Sequence, residues 1–200
     1  FDLIIMRHPG EGFAEHVANM FNASTRAIPV VNAGSGKDQH PTQALLDIYT
    51  LLRCFSETAT RNGASDASAS AAANGHAHDP KLVGRYSKYH LAGRTIAFVG
   101  DLKRGRTVRS LTYLLCRYPG VRLAFVSPPE LRIGDDILDY VTRHGIEYEM
   151  CDDVRKGIGE WDAVYMTRIQ DEWDTAGESK AIDYDRYCFT TRWRRISSGI

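Results

Sequence analysis

The most informative part of the chain is NAGSGKDQHPTQALLDIYT (residues 32–50), in which a glycine-bearing loop runs into an apolar-periodic helix. Pro41 suits a first helical turn, because the amide hydrogen that proline lacks has no partner there, and this places His40 at the N-cap. Apolar residues then recur at roughly helical spacing, which indicates one face in a core. The free amides and dipole of such a helix start favour an anion by about 0.3–2 kcal/mol. The stretch therefore predicts a rigidly held anion site.

Strands and helices alternate on both sides of this stretch. Upstream, the pattern predicts a buried strand at 2–6, a helix at 11–21 and a second strand at 28–31. Downstream, it predicts strands at 95–99, 122–126, 147–150 and 163–166. Between them it predicts helices at 107–117 and 136–144 and a short helix from 153 onward. Such alternation predicts parallel sheets with ligand groups at the carboxyl ends of the strands. The expected fold class is α/β, with two doubly wound, Rossmann-like parallel-sheet domains, the first incomplete.

Composition divides the chain into three parts. Residues 56–91 are rich in Ser, Ala, Gly and Asn without a packing pattern, which is typical of a flexible low-complexity insertion. We therefore expect a first domain at 1–55, ending in an interdomain helix, and a second at 92–200 whose end is incomplete. The chain begins at Phe1 in an apolar run that looks like a strand already in progress, so we expect that upstream sequence is absent.

The whole-chain composition argues against several functional classes. Lys plus Arg and Asp plus Glu both total 25, so there is no general attraction for nucleic acid or an acidic membrane surface. No run approaches the roughly 18 apolar residues of a membrane span, and a signal-peptide pattern is lacking. Four widely spaced cysteines without a CxxC pair favour a reduced, cytoplasmic protein. We expect no cofactor. We also expect no metal site, because His76 and His78 alone supply too few ligands to hold a metal ion.

Three short motifs look like anion-binding loops but do not fit that function. GSGK at 34–37 lacks the hydroxyl residue after the lysine and the earlier glycine of a Walker loop. GDLKRGR at 100–106 follows a predicted strand and opens a helix, but it lacks the GxGxxG spacing of dinucleotide sites. The Ser-Thr-Arg run at 24–26 precedes a strand, so it predicts a connecting loop rather than a phosphate clamp.

Motifs along the chain resemble the aspartate/ornithine carbamoyltransferase family. These are MRHP at 6–9, the 32–50 stretch with its HPTQ, VGDLKRGRTVRSL at 99–111 and YMTRIQDEW at 165–173, in the family's order and approximate spacing. HPTQ is shared by the aspartate and ornithine enzymes, whereas GDLKxGRTVxSL and YMTRxQ favour aspartate. The resemblance covers most of the chain outside the insertion and the tail.

The resemblance implies roles for three residues of the first half. Arg7 contacts carbamoyl phosphate, His40 contacts its carbonyl oxygen and Gln43 contacts its carbamoyl amine. The implied reaction is attack of an uncharged amine on the carbamoyl carbon, formation of an oxyanion and departure of phosphate. His40 and Arg7 are then the catalytic residues, because they stabilise that oxyanion.

The resemblance also implies an aspartate site in the second half. Arg106 and Arg168 bind the carboxylates, with Gln170 beside them. A dicarboxylate requires two guanidinium forks, because each makes bidentate charge-assisted hydrogen bonds that lysine does not reproduce. Arg104 and Arg109 are nearby alternatives, for which the simpler interpretation is surface charge.

By resemblance, the expected activity is aspartate carbamoyltransferase: transfer of the carbamoyl group of carbamoyl phosphate to L-aspartate, giving N-carbamoyl-L-aspartate and phosphate in de novo pyrimidine biosynthesis. The expected assembly is a homotrimer with shared active sites. The family's phosphate-clamping motif and HPLPR segment are absent from these 200 residues, so we expect them to be inactive alone. An ornithine carbamoyltransferase-like enzyme and a noncatalytic homologue acting as an assembly or regulatory partner stay open.

Overall fold

The computed structural model describes residues 1–36, 39–61, 91–168 and 182–188. The strands and α-helices in these ranges are β1 (Ile4–His8), α1 (Phe13–Asn22), β2 (Val30–Ser35), α2 (Pro41–Arg61), β3 (Thr95–Val99), α3 (Arg106–Leu115), β4 (Arg122–Val126), α4 (Asp135–Arg143), β5 (Glu147–Cys151) and β6 (Ala163–Met166). Short 3-10 helices lie at Pro129–Leu131, Val154–Lys156 and Tyr184–Arg186. No helix in the described ranges is long and apolar enough to cross a membrane.

The strands form two parallel sheets. β1 pairs with β2 in one sheet, and the other sheet has the order β5-β4-β3-β6. All residues of β3 are buried, as expected for a central parallel strand covered on both faces. The chain moves outward from β3 through β4 to β5 and then returns to add β6 on the other side of β3. This reversal is a topological switch point, where open α/β sheets bind ligands. The predicted α/β fold class is confirmed.

The main hydrophobic core lies against the four-stranded sheet, and α2 contributes to it. Phe98 of β3 and Phe125 of β4 stack with their ring centroids 5.7 Å apart. Ala44, Ile48 and Leu52 of α2 are buried in the same core. Burying a side chain the size of Ile48 or Leu52 is worth about 1.5–3 kcal/mol, so these contacts attach α2 firmly to the second sheet. The start of α2, where His40 lies, is therefore fixed relative to both sheets.

The observed strand ends differ from the predicted ones around the first sheet. β1 covers residues 4–8 rather than 2–6, and β2 covers 30–35 rather than 28–31. The predicted glycine-bearing loop is thus strand as far as Ser35. The reason is the parallel register, which pairs Met6 with Asn32 and His8 with Ser35 through backbone hydrogen bonds. Such pairing needs no apolar side chain, so an apolar pattern does not reveal it.

The helix α2 extends further than the sequence pattern predicts. It continues to Arg61, so the first residues of the predicted insertion are helical. No proline or glycine interrupts the sequence before Gly63, which permits this extension. Residues 62–90, with His76 and His78, lie outside the described residues, and the division into domains stays a prediction. The Ser-Thr-Arg run at 24–26 lies in the connection between α1 and β2.

Candidate active site

A cavity of about 530 Å³ opens at the carboxyl ends of β1, β3 and β6. It lies between the two sheets, at the switch point of the larger one. Four of its lining residues are arginines: Arg7, Arg104, Arg106 and Arg168. None of the described residues that line it is acidic. Because clustered guanidinium groups in a concave site create a positive potential, the cavity attracts anions although the chain as a whole has no net charge.

The end of β2 brings backbone and cationic side chain into close contact. Asn32 Oδ1 accepts hydrogen bonds from the Gly34 amide at 2.8 Å and the Ser35 hydroxyl at 3.1 Å. Gly34 has a φ of 122°, and a Cβ there would lie 3.4 Å from the guanidinium carbon of Arg106. Arg106 Nη1 donates to the Gly36 carbonyl oxygen at 2.9 Å. The first residue of α3 is thus held against the segment that precedes α2.

His40 lies directly before α2 and caps it. Its Nδ1 accepts a hydrogen bond from the backbone N–H of Gln43 at 3.3 Å, in the manner of an N-cap side chain. The backbone N–H of His40 donates to the hydroxyl oxygen of Ser110, on α3, at 2.8 Å. Because Nδ1 is an acceptor, the proton of the neutral ring is on Nε2. The imidazole therefore offers a ligand a hydrogen-bond donor.

The charge state of His40 agrees with this arrangement. Burial lowers the pKa of His40 below its ordinary value of 6.5, and the positive charges of Arg106 and Arg7 lower it further. The ring is therefore neutral near pH 7. Burial and then the charge of Arg7 also lower the pKa of Arg106. The shared causes of these pKa shifts indicate that Arg7, Arg106 and the His40 imidazole lie close together.

The end of β6 positions Arg168. The preceding residue, Thr167, donates its backbone N–H to the Val99 carbonyl oxygen at 2.8 Å and its hydroxyl to the same oxygen at 3.1 Å. Gly100 permits this approach, because a Cβ there would lie 2.5 Å from Thr167 Oγ1 and 2.6 Å from its carbonyl oxygen. Arg168 thus leaves β6 at the edge of the sheet where the loop after β3 presents Arg106.

The predicted site residues do not all line the cavity. Arg7, Arg106 and Arg168 line it, and the His40 ring lies beside Gly34 with its Cδ2 3.4 Å from the position of a Cβ. The Gln43 side chain is bonded within its own helix: its Nε2 donates to Asp47 Oδ1 at 2.9 Å. Gln170 lies outside the described residues. The roles assigned to these residues stay predictions.

Arg104 corrects an interpretation made from the sequence. The surface-charge interpretation is wrong for it, because its side chain is only 8% exposed. Its backbone N–H donates to Oδ1 of the fully buried Asp101 at 3.0 Å, and its Nη1 lies 3.5 Å from Asp101 Oδ2. The available signal was an aspartate three residues before an arginine, directly after a buried strand. Tyr165, which also lines the cavity, carried no such signal.

Arg109, the other alternative, lies away from the cavity wall and forms a salt bridge with Asp136 of α4. A hydrogen bond from Arg109 is the main cause that lowers the pKa of Asp136. The contact joins α3 to α4, so Arg109 supports the second sheet's helical layer rather than the cavity.

Two protein-family models match the chain. "Aspartate/ornithine carbamoyltransferase, carbamoyl-P binding domain" matches residues 1–53, and "Aspartate/ornithine carbamoyltransferase, Asp/Orn binding domain" matches residues 92–193. The chain belongs to the aspartate/ornithine carbamoyltransferase family. Within this family match, Arg7 and His40 come from the first domain, and Arg106 and Arg168 come from the second. The cavity therefore lies where the two matched domains of this family member meet.

Individual relatives are aspartate enzymes. The chain is 40% identical over 171 residues to aspartate carbamoyltransferase 2, chloroplastic, of Pisum sativum, covering 86% of this chain and 34% of the relative. The structure of the catalytic subunit of M. jannaschii aspartate transcarbamoylase matches with a TM-score of 0.61 and 33% identity, covering 90% of this chain and 46% of that one. Trypanosoma cruzi aspartate transcarbamoylase in complex with N-(phosphonacetyl)-L-aspartic acid matches with a TM-score of 0.70 and 26% identity, covering 99% and 52%. The chain thus spans about a third to a half of the length of these relatives.

Proposed function

We propose that the protein is an aspartate carbamoyltransferase, which transfers the carbamoyl group of carbamoyl phosphate to the amine of L-aspartate in pyrimidine biosynthesis. The observation that carries this proposal is that Arg7, Arg106 and Arg168 line one cavity at the switch point, with neutral His40 beside Arg106. The family match and the aspartate enzymes among the relatives support it.

The carbamoyl phosphate end of the site is assigned to Arg7 and His40. Nε2 of His40 donates a hydrogen bond to the carbonyl oxygen, and the guanidinium group of Arg7 neutralises part of the phosphate charge. As the amine attacks, negative charge develops on that oxygen, and the hydrogen bond from His40 to it becomes stronger. One such donor typically contributes about 2.7–4 kcal/mol of transition-state stabilisation. His40 acts as a donor rather than a general base, because its acceptor nitrogen is used in the helix cap.

The aspartate end is assigned to Arg106 and Arg168, one for each carboxylate. Guanidinium groups bind carboxylates through paired charge-assisted hydrogen bonds, which fix the orientation of the amine as well as its position. The same group of arginines disfavours ornithine, whose side chain ends in a cation. None of the described residues that line the cavity offers a carboxylate to such a cation. The local charge therefore favours aspartate over ornithine as the acceptor.

The reaction needs positioning more than a covalent intermediate. The uncharged amine of aspartate attacks the carbamoyl carbon, the C–N bond forms, the C–O bond to phosphate breaks, and the departing phosphate takes the amine proton. Holding two reactants in attack geometry supplies roughly 7–11 kcal/mol of the barrier reduction. The two matched domains each contribute one side of the cavity, so their relative placement sets this geometry.

The assembly and compartment are also proposals. A homotrimer with shared sites is the assembly that the family resemblance implies, and the description of the M. jannaschii relative as a catalytic subunit supports assembly from more than one chain. Light scattering on the full-length gene product is expected to give three times the chain mass; a monomer mass contradicts the trimer. The cytoplasmic location stays a prediction, which imaging of a tagged full-length product can test, since the pea relative is chloroplastic.

The function is tested by product analysis. The full-length gene product is incubated with carbamoyl phosphate and either L-aspartate or L-ornithine, and N-carbamoyl-L-aspartate, citrulline and phosphate are quantified. The proposal predicts N-carbamoyl-L-aspartate and phosphate in equal amounts with aspartate. Citrulline as the only carbamoylated product, or no product from folded protein, overturns it.

A further inference from the structure

Asp47 stands one helical turn beyond Gln43 and restrains its side chain. The two residues share a face of α2 at i, i+4 spacing, and Gln43 Nε2 donates to Asp47 Oδ1 at 2.9 Å. A carboxylate accepts hydrogen bonds and donates none, so only the amide nitrogen of Gln43 satisfies it. The carbonyl oxygen of Gln43 must then face away from Asp47. The contact therefore leaves the carbonyl oxygen of the Gln43 amide, and not its nitrogen, available to a group on the side away from Asp47.

The surroundings of Asp47 connect it to groups of the site. Its second oxygen, Oδ2, is buried. Asp47 also interacts with Tyr165, which lines the cavity: burial raises the pKa of Tyr165, and the charge of Asp47 and a hydrogen bond to its carboxylate raise that pKa further. The same charge opposes the lowering of the His40 pKa. The carboxylate of Asp47 thus contacts Gln43 and acts on two groups of the site, Tyr165 and His40.

We propose that Asp47 is a positioning residue that holds the Gln43 amide with its carbonyl oxygen toward the carbamoyl nitrogen, and so makes the site select a ligand that bears N–H. This inference rests on the proposed function. A carbamoyl group ends in NH2, which donates to that oxygen, whereas the methyl of an acetyl group of the same shape does not. Without the carboxylate, the amide of Gln43 can rotate and present its own N–H groups, which oppose the carbamoyl amine.

The test uses two stable ligands of nearly identical shape, phosphonoacetamide and 2-oxopropylphosphonate, which differ in NH2 against CH3. Their dissociation constants are measured by titration calorimetry on the full-length gene product and on Asp47→Asn, which keeps the shape of the side chain but adds a donor. Wild type is expected to prefer phosphonoacetamide. Asp47→Asn is expected to lower this preference by about tenfold, as expected for a mispaired buried hydrogen bond. The ratio of constants does not depend on the fraction of folded protein.

Two further variants make the result specific. Asp139→Asn makes the same chemical change at an exposed position of α4 and is expected to leave the preference unchanged. In a Gln43→Met background, Asp47→Asn is expected to have no further effect, because the amide that it orients is gone. If Asp47→Asn does not fold, Asp47→Ser is measured in its place, with the same expected loss of preference.

The outcomes separate this inference from the proposed function. A preference unchanged in the folded Asp47 variant overturns the role of Asp47 alone. An equal loss in the Gln43→Met background also overturns it, since Asp47 then acts without Gln43. Wild-type protein that binds neither phosphonate overturns both this inference and the proposed function.

Discussion

The two ring nitrogens of His40 have different tasks. Nδ1 accepts the hydrogen bond that caps α2, which leaves the proton on Nε2. Burial and two neighbouring arginines lower the pKa of His40, which favours the neutral ring. A neutral donor polarises a carbonyl group without adding a cation to a site that already holds four guanidinium groups.

The two tasks can be separated by substitution. His40→Asn keeps an N-cap oxygen but removes the donor at the position of Nε2, so kcat is expected to fall by about 10²–10³-fold with little change in thermal stability. His40→Ala is expected to lose the cap as well, at about 1 kcal/mol of unfolding free energy. Steady-state kinetics and thermal melts measure both, with His16→Ala, an exposed histidine of α1, as the control. A His40→Asn variant with near wild-type kcat contradicts the role.

The lowered pKa of His40 predicts a pH dependence of stability. The unfolded chain takes up a proton near pH 6.5, before the folded chain does. The stabilising contribution of the neutral ring is therefore complete above pH 6.5 and is lost as the pH falls below it toward the folded-state pKa. Urea denaturation of wild type and His40→Asn, which does not titrate at this position, is expected to show similar stabilities near pH 8 and a wild type that becomes the less stable of the two toward about pH 5. A wild type that gains stability relative to His40→Asn toward acid contradicts the assignment.

Arg168 is expected to act on aspartate rather than on carbamoyl phosphate. Arg168→Lys keeps the charge but loses the bidentate geometry, so the KM for aspartate is expected to rise by roughly 10–100-fold, with the KM for carbamoyl phosphate nearly unchanged. Initial rates at varied concentrations of each substrate measure the two constants. Arg143→Lys at the end of α4 is the control. Equal effects on both KM values show that Arg168 does not discriminate between the substrates.

The helix α2 links the two sheets. Residues 41–53 of this helix belong to the first matched domain, yet its apolar face lies in the core of the second sheet. The hydrogen bond from the His40 backbone to Ser110 adds a contact with α3. Because His40 begins α2 and Arg106 begins α3, packing between these two helices fixes the distance between their functional groups.

The contact between the ends of β3 and β6 depends on Gly100. It has a φ of 116°, and an added Cβ meets the Thr167 backbone at 2.6 Å. Gly100→Ala is therefore expected to destabilise the fold by about 2–4 kcal/mol and to displace Arg168. Gly145→Ala is the matched control: its φ is 66° and nothing lies within 4 Å, so only backbone strain of about 1–2 kcal/mol is expected. Denaturant melts compare them, and equal losses contradict the steric argument.

The sequence predicted buried elements better than site geometry. β3 and β4 were predicted at their observed ends because their apolar runs coincide with their burial. The ends of β1 and β2 were wrong, since backbone pairing decides them. The burial of Arg104 was also missed, because it depends on the hydrogen bond and ion pair that Arg104 makes with the buried Asp101. The approach of Arg7, Arg106 and Arg168 followed from strand-end reasoning, whereas the Gln43–Asp47 contact needed side-chain positions.

For the whole molecule, charge placement matters more than total charge. Acidic and basic residues balance over 200 residues, yet the cavity collects guanidinium groups from both matched domains. Positive groups thus face the cavity from two sides, an arrangement that suits a ligand with negative charge at both ends. Carbamoyl phosphate and aspartate, placed side by side, are negatively charged at their outer ends. A single molecule that combines a phosphonate with aspartate is therefore expected to occupy both parts of the cavity.

The most direct test is therefore titration calorimetry of N-(phosphonacetyl)-L-aspartic acid into the full-length gene product and its Arg106→Gln variant. If both substrates meet in this cavity, the wild type binds the compound tightly, and the folded variant binds it at least about tenfold more weakly, because a buried carboxylate loses its charged partner. Equal affinity of the two proteins would contradict the account.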